Sequence, residues 1–161
     1  MEPPFGGANP LFVARRLFER TRAATLAVMK QNAILVGTSL LSILLLTLHV
    51  TEDIVRGISK AEPSNTALLV LVVFLYGTLV LNERRSGYVI MLLVGLFAAG
   101  MPVIHMRGAH YGEIARSSGG FFFVWTLWAL GGLGGLTAVL SARGLWVGAV
   151  APSHRPASGS N

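Results

Sequence analysis

The chain has 161 residues, of which 53% are hydrophobic and only 12% charged, with a formal net charge of +6 and no cysteine. That length holds one domain, and the charged share is about half of the ~25% usual for soluble domains. The missing cysteines exclude disulfides, thiolate metal ligands and iron–sulfur clusters. A nucleic-acid function is disfavoured, because the basic surplus comes without an aromatic–basic platform or a soluble binding module.

Residues 1–10 are rich in Pro and Gly and read as a flexible leader. Residues 11–30 behave differently on a helical wheel of ~100° per residue. One arc gathers Leu11, Val13, Leu17, Phe18, Val28 and Met29, while the other gathers Arg15, Arg16, Glu19, Arg20, Arg22 and Lys30. The pattern predicts an amphipathic interfacial helix whose basic face suits an anionic lipid surface. It does not read as a cleaved signal peptide. The basic region is too long, and the apolar run leads into Thr51-Glu52-Asp53 rather than a small-residue cleavage site.

No Lys, Arg, Asp or Glu occurs in 31–51, 63–82, 86–106 or 117–142. Each run is long enough to cross ~30 Å of hydrocarbon as a helix. Four such runs predict an all-α, four-helix transmembrane domain over 31–143, with spans at about 33–50, 66–81, 88–106 and 120–141. Pro63 and Ser64 mark the start of the second span. The short turn 82–87 makes the second and third spans antiparallel neighbours, and Pro102 kinks the last turns of the third. Ser117 and Ser118 read as caps for the fourth. From Gly144 the chain is expected to form a disordered tail, 144–161.

With the N-terminus inside, nine of the 13 Lys and Arg fall on inner segments: Arg15, Arg16, Arg20, Arg22, Lys30, Arg84, Arg85, Arg143 and Arg155. Four fall outside: Arg56, Lys60, Arg107 and Arg116. This bias places both termini in the cytoplasm. Phe121 to Phe123, Trp125 and Trp128 then form an aromatic belt at the outer interface. Gly131 and Gly135 in the fourth span, and Gly95 and Ala99 in the third, are small residues four apart that allow close helix contact. Packing within the chain is the expected use, with a homo-oligomer or another membrane protein as the competing partner for the Gly-rich span.

No ionisable residue lies near the middle of any span, which disfavours a proton-driven exporter. The reactive residues collect instead at one membrane face. His49, Glu52 and Asp53 lie at the end of the first span, His105 at the end of the third, and His110 and Glu113 in the loop beyond. Imidazole nitrogen and carboxylate oxygen are divalent-metal donors, so His49, Asp53, His105, His110 and Glu113 form a candidate metal set. His49 and His105 alternatively supply two axial ligands to one haem. Against both stands the ordinary reading of solvated helix ends and a surface Glu113–Arg116 pair. His154, in the tail on the other face, is left out of the set. Neither a serine-nucleophile elbow nor a phosphate-binding glycine loop is present.

The segments His49-Val-Thr-Glu-Asp-Ile-Val-Arg-Gly57 and Gly108-Ala-His-Tyr-Gly-Glu-Ile-Ala-Arg-Ser-Ser-Gly-Gly-Phe-Phe-Phe-Val-Trp125 resemble those of a family of small, uncharacterised four-span bacterial membrane proteins. The resemblance covers the spans and outer loops and implies a bacterial inner-membrane location, but no activity. The leading expectation is therefore a non-enzymatic partner or accessory subunit. A metal- or haem-binding protein is the alternative, and a small solute carrier or channel using Thr38, Ser42 and Thr47 the second alternative.

Overall fold

The computed structural model describes residues 10–58, 62, 66–108 and 111–150. Residues 1–9 of the 1–10 leader, Lys60, the Pro63-Ser64 start signal, His110 and the chain from 151 onward, His154 included, lie outside the described residues; the leader's last residue, Pro10, opens α1. Every regular element among the described residues is helical: α1 (Pro10–Val55), α2 (Thr66–Leu79), α3 (Arg85–Met106), α4 (Tyr111–Arg116) and α5 (Gly120–Val150). The chain divides into two compact units, Met1–Ile34 and Leu35–Asn161.

In the first unit, residues 11–30 are exposed on every side. The segment is knitted locally, by an Arg15–Glu19 ion pair of 3.0 Å and by Arg16 over the Phe12 ring at 4.3 Å. Thr21 and Thr25 donate to the carbonyls of Leu17 and Thr21. Sequence reasoning places a boundary near residue 30, but α1 runs through Lys30-Gln31-Asn32 without a break. No Gly or Pro occurs there to stop it.

The second unit buries several polar side chains beside its apolar core and leaves large apolar side chains exposed. Ser39, Ser42, His49, Asp53, Thr78, Thr126, Thr137 and Ser141 are buried. Leu69, Val72, Leu93, Leu96 and Val139 are more than half exposed. Large apolar side chains facing outward over hydroxyl-bearing residues facing inward suit a surface wetted by lipid and a core held by close contact. Three helices are long and apolar enough to cross a membrane: Leu11–Val55, Arg85–Met106 and Gly120–Val147. The chain is an integral membrane protein. The expected second span is shorter than sequence reasoning gives it. With 14 residues, α2 is about 21 Å long at 1.5 Å per residue, less than ~30 Å of hydrocarbon.

The core has two apolar layers. Leu35, Phe74, Met91 and Val94 form one, and Leu45, Leu46, Val50, Ala98, Met101, Phe123, Leu127 and Leu130 the other. The second layer floors the candidate site. The seam between α3 and α5 is tight enough that a Cβ on Gly134 would stand 2.6 Å from the Ala98 Cβ and 2.8 Å from both the Ala99 amide nitrogen and the Gly95 carbonyl oxygen. Gly131 meets Pro102 in the same way, whereas Gly132 and Gly135 have open space. The seam thus uses Gly131 and Gly134, one turn apart, rather than the expected pair 131 and 135. At a 3.6-residue period, spacings of three and four serve one face equally well.

Two further differences concern the ends of the last span. Ser117 does not cap α5; its hydroxyl donates to the Ile114 carbonyl at 2.7 Å, and the chain turns through Gly119 at φ +81°, a conformation that suits glycine. At the other end α5 continues to Val150, past the point where a tail is expected. Gly144 lets the helix lie against the Tyr88 ring.

Candidate metal centre

His49 and Asp53 are four residues apart on α1, so their side chains leave the same face of the helix. His105 stands in the last turn of α3 and meets them there. Both helices end at the same side of the unit, because each contributes its C-terminal turns. The His49 and His105 Nε2 atoms are 3.2 Å apart. The Asp53 Oδ2 lies 3.5 Å from His105 Nε2 and 3.9 Å from His49 Nε2. His49 is fully buried and Asp53 nearly so, while His105 keeps one exposed edge.

Hydrogen bonds fix part of the protonation pattern. A carbonyl only accepts, so the His105 Nδ1 at 3.1 Å from the Met101 carbonyl carries a proton and donates it. In the neutral ring this leaves the Nε2 lone pair pointed at the cluster, where it accepts from the His49 Nε2–H at 3.2 Å; with that proton displaced, the ring is arranged as a metal ligand with the Met101 carbonyl as its outer-shell partner. Three polar atoms at the end of α1 are buried and unpartnered: His49 Nδ1, Glu52 Oε2 and Asp53 Oδ1. Buried polar atoms are normally paired, and a buried carboxylate without enough partners is costly. A cation held by His49 Nε2, His105 Nε2 and Asp53 Oδ2 would neutralise the buried Asp53 carboxylate, while His49 Nδ1 and Glu52 Oε2 face away from it.

The cluster is walled by Phe123, whose ring centroid lies 5.2 Å from that of His49 and 5.9 Å from that of His105. Above Phe123 sits Arg56, 5.7 Å from its centroid. The guanidinium bonds Glu52 Oε1 through Nη2 and Nε at 2.7 and 3.0 Å. Its Nη1 donates to the Ser117 hydroxyl at 3.1 Å. Arg56 therefore ties the end of α1 to the corner between α4 and α5 and holds the phenylalanine over the imidazoles.

Of the five residues in the sequence-derived metal set, His49, Asp53 and His105 come together, with one ligand atom from each lying within 4.8 Å of the others. Glu113 does not join them. It is exposed on α4 and faces a separate cleft with Arg56, Gly57, Ile58, Ile114 and Ser117. Sequence reasoning misses Phe123, Arg56 and the Met101 carbonyl. The available signal is the spacing Phe123, Leu127, Leu130, an inward stripe at i, i+4, i+7.

The three ligand-atom separations define a triangle whose in-plane centre is about 2.1 Å from every corner; a tetrahedral ion, displaced from that plane toward a fourth ligand, has bonds of about 2.2 Å, at the upper end of the zinc range. A tetrahedral ion with bonds of about 2.0 Å spans ligand edges of about 3.3 Å. An octahedral ion such as Mg²⁺ spans edges of about 3.0 Å. The observed edges lie nearer the tetrahedral value. A haem fits less well. Two axial imidazoles stand on opposite sides of the macrocycle, whereas these rings are in edge contact with their Nε2 atoms 3.2 Å apart.

The hydroxyls of the solute-carrier reading are engaged within α1. Thr38, Ser42 and Thr47 donate to the carbonyls of Leu35, Thr38 and Ile43. No family model, curated protein or solved structure matches the chain.

Proposed function

We propose that this chain is a bacterial inner-membrane protein that binds one divalent transition-metal ion, zinc first, through His49, Asp53 and His105. The convergence of three metal-donor atoms from two different helices carries the reading. Zinc is favoured because imidazole and carboxylate donors suit it and the spacing is closer to tetrahedral than to octahedral. Haem is not retained as the cofactor.

The proposal includes four passes with both termini cytoplasmic and the metal site toward the outer face. Besides the nine-to-four bias of basic residues, one feature of the fold supports it. The C-terminal turns of α1 and α3 meet at the cluster, so the chain must return between them, and α2 is the segment that does so. A reporter fused after Asn161 should give a cytoplasmic signal, and a periplasmic signal would overturn this topology.

The accessory-subunit reading is placed second. Gly131 and Gly134 are engaged within the chain, and the exposed apolar faces suit lipid as well as they suit a protein. Elemental analysis decides between the two readings. Detergent-purified protein supplied with zinc and then dialysed should retain about one ion per chain, as an all-protein site does. Retention of no metal above that of a triple-alanine variant at 49, 53 and 105 would refute metal binding.

A further inference from the structure

We infer that the metal's fourth coordination position receives the carboxylate of a medium-chain apolar acid, whose chain lies in the pocket beside His105. The inference rests on the proposed metal site and extends it to a ligand. Three protein ligands leave a tetrahedral zinc ion one position short, the pattern of reactive rather than purely structural sites. His49 is buried and His105 lines a pocket, so the free position is assigned to the His105 side.

His105 lines a cavity of about 180 Å³ bounded also by Ile58, Ile104, Tyr111, Ile114 and Phe123. Ligand pockets for drug-sized molecules measure ~300–1,000 Å³, so this one suits a medium-length chain or small fragment. Its walls are almost wholly apolar, which argues against a sugar, nucleotide or peptide as the occupant. The charge balance selects the head group. Zinc with two neutral imidazoles and one carboxylate keeps a net charge of +1, and an uncompensated charge is costly in a buried site. An anionic oxygen donor removes it. The pocket shares Ile58 and Ile114 with the wider cleft of about 660 Å³ that carries Arg56, Glu113 and Ser117, which offers an entry.

The test uses the full chain in zwitterionic lipid nanodiscs, loaded with Co²⁺ as a spectroscopic stand-in for zinc. Titration with octanoate should change the visible Co²⁺ bands with a Kd at least about tenfold lower than that of acetate, since burial of two methylenes already supplies that factor. Ile58→Trp and Ile104→Trp fill the pocket from positions that are 48% and 56% exposed. They should abolish octanoate's advantage while leaving the ligand-free Co²⁺ spectrum unchanged. Equal affinity for acetate and octanoate, or an octanoate preference that survives both tryptophans, would overturn the pocket assignment and leave the metal site standing. Failure of Co²⁺ to bind at all would overturn both.

Discussion

Replacing His49 with alanine should weaken zinc binding by more than about 100-fold. Loss of an outer-shell partner alone typically costs 10–100-fold in metal affinity, and His49 supplies one of only three protein ligands. The substitution also removes the thermal stabilisation that zinc confers. A ligand present at about 100 times its Kd stabilises the folded state by about 2.7 kcal/mol, and that increment should vanish in the variant. His49→Gln provides the control, because it keeps much of the buried volume without an imidazole nitrogen. It should fold and still fail to show the zinc-dependent rise. The sign of the pH effect follows from competition between protons and metal for the same lone pairs. Wild-type affinity should fall on acidification and recover on neutralisation. Zinc-dependent melting that is the same in wild type and both variants would place the ion elsewhere.

Gly134→Ala should cost about 2 kcal/mol or more of stability, within the 1–3 kcal/mol typical of overpacking a tight core. The added methyl meets the Ala99 amide nitrogen and the Gly95 carbonyl oxygen at 2.8 Å. Both are backbone atoms, so relief requires the two helices to separate. Gly132→Ala, two residues away on the same helix, meets nothing within 4 Å. It should be neutral or stabilising by up to about 1 kcal/mol, the ordinary helix preference of alanine over glycine. Melting of the two variants side by side in detergent separates a steric seam from general intolerance of the glycine-rich segment. Equal loss in both would mean that the seam is not where the contacts put it.

The membrane class was legible from the charge-free runs alone, because charged side chains are too costly in hydrocarbon to be scattered through a span. The limits of the elements were less so. Nothing in the local sequence stops α1 at Asn32 or α5 at Ser141, since Gly144 reads as a breaker until the Tyr88 ring beside it is known. Ser117 has the composition of a cap, yet its hydroxyl serves Ile114 and Arg56, a preference set by a residue 61 positions away. The site was legible in the same measure. His49, Asp53 and His105 could be grouped because helix periodicity and an up–down layout suffice to bring them to one end. Glu113 could not be excluded, because whether it turns toward the cluster depends on α4, a short helix within a segment that otherwise reads as loop. Phe123 was obscured by its neighbours. Three consecutive phenylalanines read as a belt, and only the heptad-like spacing to Leu127 and Leu130 distinguishes the inward one from Phe121 and Phe122.

X-ray absorption at the zinc edge of the metal-loaded protein tests the central claim most directly. The account predicts a four-coordinate nitrogen and oxygen shell at about 2.0–2.1 Å, with the outer-shell scattering of two imidazoles that drops to one in His105→Ala. A six-coordinate oxygen shell without imidazole scattering, unchanged in that variant, would contradict it.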